Sequence, residues 1–373
     1  MEQKPSFLFA FLVFSIVDYV TFNEKIKNKA VKVAAYVIVV ILVLYIFNGF
    51  AKVTLANSKA IGPIYNPQWQ QAGIWVKENT PKDAVFVHWW DYGYLVQTGF
   101  ERATVTDGGN AIGPWNYYVG RHVLTAQNQT EPLSFLKTHD VSYLLIISDE
   151  IGKYPAFSSI GSDENYDRYS WISTFVLDPN IQETRNTTVL IYGGGYPFDE
   201  DFVYQGKLFP RQASGIGAFL LPLSNSGNNS VLLQPTAIVV SNGEQFKIPL
   251  ECVFVNGKEI NFENKGISGC LRIIPSIDEQ NRINPNGAAL YLSPRVRRTL
   301  FARLYIYGLD SDIYKLVYID EDKGAPLVVW RGRLIGPLKI WKINYPSDVK
   351  TNSVYLETAY QNPSVTFVNK EYY

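Results

Sequence analysis

Residues 89–93 read Trp-Trp-Asp-Tyr-Gly and follow a short apolar run, Ala84-Val85-Phe86-Val87. These residue types suit recognition of a hydroxyl group. A carboxylate only accepts hydrogen bonds, and an indole N–H only donates them. A Ser or Thr hydroxyl does both, so Asp91 with Trp89 and Trp90 could hold one from two directions. On a strand end, alternation would turn the two indoles to opposite sides, and at least one would face a pocket at the end of the sheet. Gly93 then reads as a sharp turn. The blander alternative is an aromatic core patch in which Asp91 caps that turn. For a bare Trp-Trp-Asp, the blander alternative is the commoner outcome.

Other chemistry-bearing residues have plain explanations. His88 borders the motif, but a lone His is more often packed or hydrogen-bonded than a base. Asp91 and Asp107 would suit a glycosidase only at particular separations in space, which the sequence does not give. Asn128-Gln-Thr, Asn186-Thr-Thr and Asn228-Asn-Ser are glycan acceptor sequons. Cys252 and Cys270 are the only cysteines; they form no Cys-x-x-Cys and have no His nearby, which argues against zinc. One disulfide outside the cell and two buried free thiols both remain open.

The elements that must position the motif follow from pattern. Asn66 reads as an N-cap with Pro67 at the first helical position, and Pro81 stops that helix near Asn79. Residues 84–87 and 141–147 read as short buried strands. The motif thus follows a strand, where ligand sites of α/β folds tend to lie. Helices are expected over Trp115 to Gln127, over Pro132 to His139, and over Asp163 to Val176 with Trp171, Ile172 and Phe175 on one face. Gly193-Gly-Gly195 reads as a loop. Beyond it come short β-like runs, including Ala237-Ile-Val-Val, Ala288 to Leu292, Leu304-Tyr-Ile-Tyr and Tyr314-Lys-Leu-Val-Tyr, as in a sandwich or barrel.

The chain has 373 residues, room for two or three domains. Its 34 basic and 34 acidic residues leave no basic field for nucleic acid, and 14% aromatics suit β-rich cores or interfacial surroundings. Phe7 to Phe22 is almost wholly apolar, and residues 34–50 are apolar without a charge. Between them lie Lys25, Lys27, Lys29 and Lys32, which favour the cytoplasmic side. We expect a two-span anchor over 1–55 with everything after about residue 55 extracytoplasmic, although the first run also has the length of a signal sequence. The fold class expected is α+β: N-terminal transmembrane helices, a mixed α/β core domain at 57–200 and a β-rich, sandwich- or barrel-like domain at 205–373.

The whole pentapeptide resembles the hallmark of the catalytic subunit of oligosaccharyltransferases. These are membrane enzymes that move a lipid-linked oligosaccharide onto Asn in Asn-x-Ser/Thr. Its setting is similar too: a helix, a strand, the motif, then Arg102-Ala-Thr-Val-Thr-Asp107-Gly-Gly-Asn110. The resemblance implies that Trp89, Trp90 and Asp91, within a motif completed by Tyr92 and Gly93, bind the hydroxyl two residues past the acceptor Asn. The family's second element is Asp-x-x-Lys-x-x-x-Met/Ile on a kinked helix. Asp312 to Ile319 fits that pattern literally but reads as a β-hairpin, where those spacings point to both faces; Asp312 and Lys315 are then structural. Residues 148–161 follow the right kind of strand, and Gly152 and Pro155 would account for a kink. There Glu150 stands for the family's Asp, with Asp149 as an alternative, and Lys153 matches. Phe157 and Ile160 compete for the apolar contact with a Thr methyl. A looser likeness covers 297–320.

The resemblance also implies partners and a metal. An acceptor peptide and a lipid-linked oligosaccharide would be the substrates, and Mn2+ or Mg2+ the cofactor. In the family, the metal's acidic ligands and the lipid pyrophosphate site lie on loops between earlier transmembrane helices. Their ligands are therefore expected outside this chain, on an N-terminal membrane domain. The chain then reads as a recognition portion, inactive in transfer alone, with no catalytic and no metal-binding residue of its own. The main alternative is a membrane-anchored, extracytoplasmic glycan-binding or cell-envelope protein.

Overall fold

The computed structural model describes residues 4–24, 26–180, 182–184, 186–226, 229–309, 311–320 and 326–358. It forms two units, Met1–Asn66 and Pro67–Tyr373. The first contains α1 (Lys4–Phe22) and α2 (Lys29–Ile61). Asn28 caps α2 by accepting a hydrogen bond from the Ala30 N–H at 2.9 Å. The turn between the helices is tied by Lys32 Nζ, which donates to the Thr21 carbonyl at 2.8 Å, and by the Thr21 and Tyr36 hydroxyls, 2.6 Å apart. Among the described residues one helix is long and apolar enough to cross a bilayer: α2 over Lys29–Lys59. In α1 the described apolar stretch is Phe11–Phe22.

The second unit opens with α3 (Pro67–Asn79), which buries Trp69, Ala72, Gly73 and Val76, one stripe at helical spacing. Its C-terminal carbonyls meet a buried guanidinium. Arg102 donates to the carbonyls of Val76, Lys77 and Thr80, to the Thr80 hydroxyl, and to the carbonyls of Phe100 and Glu101. This cation therefore satisfies the acceptors that a helix end leaves open. Then come β1 (Val85–Val87), β2 (Ala103–Thr104), α4 (Gly113–Tyr118), α5 (Leu133–Thr138), β3 (Val141–Ile146) and α6 (Asp149–Ile160). β1 pairs in parallel with both β2 and β3. α4 continues as a π-helical turn, Val119–Leu124, so the helix expected from Trp115 to Gln127 forms in two parts.

Seven strands close a barrel: β4 (Ser173–Leu177), β5 (Thr187–Pro197), β6 (Ser214–Ser226), β7 (Thr236–Ser241), β8 (Glu244–Val255), β9 (Ile267–Ile277) and β10 (Ile283–Leu292). Their order is β8-β7-β6-β5-β4-β10-β9, and a parallel pairing of β9 with β8 completes the ring. The interior is aromatic and β-branched, including Phe175, Tyr192, Tyr196, Phe219 and Tyr291. Cys252 and Cys270 are neighbours in register across the closing pair and are disulfide-bonded.

Three local expectations are corrected here. Residues 163–176 form turns and then β4, because Phe175 is buried inside the barrel while Val176 faces out, an alternation that serves a sheet. Gly193–Gly195 is not a loop but part of β5, where the register shifts between Gly193 and Tyr196. A Cβ on Gly194 would lie 2.6 Å from the Phe175 ring, so the glycine lets that ring lie against the strand. Residues 304–307 are not a strand: Ala302–Ile306 is a π-helical turn that buries Ala302, Leu304, Tyr305 and Ile306.

After the barrel, β11 (Tyr314–Ile319) and β12 (Lys339–Ile343) return to the first sheet, giving the order β11-β12-β3-β1-β2 with β12 antiparallel to β3. The hairpin expected around Asp312-x-x-Lys315 does not form: Asp312 precedes β11, Lys315 lies on it, and β11 pairs with β12 instead of a strand at 304–307. The two sheets interleave along the chain, so neither keeps to 57–200 or 205–373.

Candidate functional site

β1 ends at Val87, and the motif lies just beyond it. Trp89 is extended, and Trp90–Tyr92 is a single 3-10 turn. Strand alternation therefore does not govern the two indoles. They sit on adjacent positions with ring centroids 6.1 Å apart, Trp89 buried and Trp90 half-buried. Behind Trp89 lies the buried ring of Phe157, at 5.8 Å. Phe157 is thus part of the wall behind the motif, while Ile160, 40% exposed, is the accessible one of the two apolar candidates on α6.

Gly93 has ordinary right-handed dihedrals, φ −54° and ψ −49°, so a left-handed turn does not explain it. Close approach does: a Cβ there would lie 2.4 Å from Asp107 Cβ and 2.7 Å from the Thr106 carbonyl. The segment it touches is held in turn. Asp107 accepts from Gln97 Nε2 at 2.9 Å and from the Gly109 N–H at 2.8 Å.

Helix α6 brings the second sequence candidate to the first. Lys153 Nζ lies 3.1 Å from Asp91 Oδ1, donates to the Tyr92 hydroxyl oxygen at 3.2 Å, and stands 4.6 Å from the Tyr92 ring centroid. Burial pushes the Tyr92 phenol well above its usual range, so it stays neutral and can accept from the ammonium. Tyr92 is stacked on Trp69 of α3 at 5.5 Å. Lys153 and Asp91 are both about one-third exposed, 33% and 27%. Asp91 Oδ2 and the Trp90 indole N–H have no hydrogen-bond partner among the described residues, and both residues are partly exposed.

Glu150 takes another position. Its carboxylate is fully buried, and it accepts from the Ile147 N–H at 2.8 Å and the Trp89 N–H at 3.4 Å. It therefore joins the start of α6 to the backbone of the motif and offers nothing to solvent. Burial pushes its pKa up to about 8, against the pull of those two N–H donors and of Lys153. Asp149, the alternative, is exposed.

Two residues support the motif from behind: Trp69, which the sequence did not single out, and His88, packed and hydrogen-bonded as expected of a lone His. Trp69 braces Tyr92, and its signal was its place in the α3 apolar stripe. His88 is buried, with Nδ1 2.7 Å from the Trp89 carbonyl, so Nδ1 carries the proton and Nε2 is left without a partner. Burial lowers its pKa to about 4, so the ring is neutral at physiological pH. Among the sequons, Asn128 is committed to a turn, accepting from the Thr130 N–H, the Thr130 hydroxyl and the Glu131 N–H. Asn186 is exposed, and Asn228 lies outside the described residues.

A divalent metal finds no fit among the described residues. Among the described residues no group of three or more His, Cys, Asp or Glu side chains could hold one.

Residues 82–165 match a family model described as the STT3/PglB/AglB core domain. The stretch includes both the motif and all of residues 148–161. Over 118 residues the chain is 28% identical to the dolichyl-diphosphooligosaccharide–protein glycosyltransferase subunit stt3 of Schizosaccharomyces pombe, covering 29% of this chain and 15% of that protein. Over 115 residues it is 29% identical to the dolichyl-phosphooligosaccharide-protein glycotransferase of Methanocaldococcus jannaschii, covering 31% and 12%. The matched stretch is thus a small part of either relative's length. Among solved structures, the C. jejuni PglB C-terminal domain is similar over 74% of this chain and 100% of that one, at 12% identity and TM-score 0.39. The archaeal oligosaccharyltransferase AglB of Archaeoglobus fulgidus, solved with an inhibitory peptide and a dolichol-phosphate, is similar over 89% and 38%, at 13% identity and TM-score 0.39.

Proposed function

We propose that this chain, whose residues 82–165 match the oligosaccharyltransferase core-domain model, is the acceptor-recognition portion of an N-glycosylation enzyme. The observation that carries the reading is the meeting of Lys153 with Asp91 at 3.1 Å, which joins two segments distant in sequence at one partly exposed polar point next to Trp90.

In this reading Lys153 holds Asp91 Oδ1, and Oδ2 accepts the proton of the Ser or Thr hydroxyl two residues past the acceptor Asn. The Trp90 indole N–H donates to the same hydroxyl oxygen. Trp89 supports Trp90 from within the core, and Gly93 allows the 106–107 segment to close against the turn. Glu150 and Tyr92 set the positions of the Trp89 backbone and the Lys153 ammonium. Ile160 offers the accessible apolar surface for a Thr methyl.

Transfer itself needs more than recognition. In the family a divalent metal supplies the activation of the acceptor amide; we assign that step, together with the lipid-linked oligosaccharide, to a membrane domain of the kind the family carries. The chain alone is expected to transfer nothing. α2 anchors it in the bilayer, and the part after about residue 55 faces the extracytoplasmic side. The Cys252–Cys270 disulfide supports that placement, since such bonds persist in oxidising compartments.

The test compares an Asn-x-Thr peptide with its Asn-x-Ala partner on the chain assembled with its catalytic membrane domain. Losing the hydroxyl should weaken binding by about 1–3 kcal/mol, roughly 5–150-fold. Equal affinity for the two peptides would return the chain to the reading of an anchored envelope or glycan-binding protein.

A further inference from the structure

Helix α3 has a second face that is not packed into the core. About 240° round the helix from Trp69, six residues on, Trp75 opens into a cleft of about 360 Å³ between α3 and the end of β11. Gln71 and Glu78 line it from the helix, and Tyr318 and Asp320 from the strand side. The Trp75 and Tyr318 rings are 5.2 Å apart and tilted by 40°.

The charge in this cleft is one-sided. Both formal charges in its lining, Glu78 and Asp320, are negative, and no basic residue lines it among the described residues. Asp320 is only 4% exposed, and its Oδ2 is buried without a hydrogen-bond partner. A carboxylate buried in that way is costly and is relieved by a donor, best by a positive one. The indole and phenol rings beside it present π faces that also attract a cation. A metal ion is disfavoured, since the cleft offers two carboxylates and aromatic walls where a hard cation needs six or more oxygens. A neutral sugar could stack on the rings, but its hydroxyls leave the charge of Asp320 uncompensated.

We propose that this cleft binds an organic cation, the ammonium or guanidinium of a lysine or arginine side chain presented by another protein, with Asp320 as its counter-ion and Trp75 and Tyr318 as its walls. The site stands apart from the Trp-Trp-Asp motif and does not depend on the function proposed for it.

The probes are Nα-acetyl-arginine amide and Nα-acetyl-lysine amide. The controls are Nα-acetyl-norleucine amide and methyl α-glucoside. Binding is read by saturation-transfer NMR on the full chain in detergent micelles. The two cationic amides should bind and the controls should not, and Asp320→Asn and Trp75→Ala should each weaken binding tenfold or more. Asp320→Asn should also leave the ligand-free Tm unchanged or raised, because it removes a buried unpaired charge. Binding of the glucoside in place of the amides, unchanged affinity in Asp320→Asn, or a lower Tm for that variant would each overturn the proposal.

Discussion

Glu150 holds the motif through two backbone N–H groups, and its charge state makes that hold measurable. An acid whose pKa rises on folding binds its proton more tightly in the native state. Its contribution therefore becomes less favourable as pH rises, beginning near the unfolded value of about 4.3 and ending near the folded value of about 8. In Glu150→Gln this slope should vanish: a Tm series from pH 5 to 9 should fall more steeply for the wild type than for the variant. Parallel curves would mean that the carboxylate is not held away from water. Asp91 and Lys153 act at the surface. Asp91→Asn should remove most of the Thr-over-Ala preference of about 1–3 kcal/mol, whereas Lys153→Met, losing a partly exposed ion pair, should reduce it by about 1 kcal/mol or less. A purely structural role for either residue would shift both peptides equally, so the ratio is the quantity to measure.

At the scale of elements, the site depends on how closely the turn at 90–92 and the 106–107 segment approach. Gly93→Ala would place a methyl 2.4 Å from Asp107 Cβ, so one segment must move, at a cost of about 1–3 kcal/mol visible in urea unfolding. Unchanged stability would show that the contact yields freely. This glycine was legible as special but not for its true reason, since close approach between segments 13 residues apart leaves no local pattern. The helix at 67–79 and the strands at 85–87 and 141–146 were legible, because caps, prolines and compact apolar runs are local signals. Residues 163–176 misled because Trp171, Ile172 and Phe175 also fit a helical stripe, and only the barrel interior decides for β4. Likewise, Phe157 fitted the motif spacing, but its burial behind Trp89 depends on how α6 packs on the 88–92 turn.

For the whole molecule, the seam of the barrel is the feature with the widest reach. β8 and β9 meet in parallel, and this pairing turns an open sheet, with two exposed edges, into a ring. The Cys252–Cys270 bond lies on that seam, with a sequence separation of 18 residues. Chain entropy alone gives such a cross-link about 3 kcal/mol. Replacing both cysteines by Ser should therefore lower stability by about 2–4 kcal/mol, and reduction of the wild type should do the same. The location of the damage is the sharper prediction. β1 and β3 belong to another sheet and share no strand with the seam, so native-state hydrogen exchange should rise first across β8 and β9 while β1 and β3 keep their protection. Loss of protection everywhere at once would mean that the barrel and the motif-bearing sheet open as a single unit, and the bond would then hold the recognition site together as well.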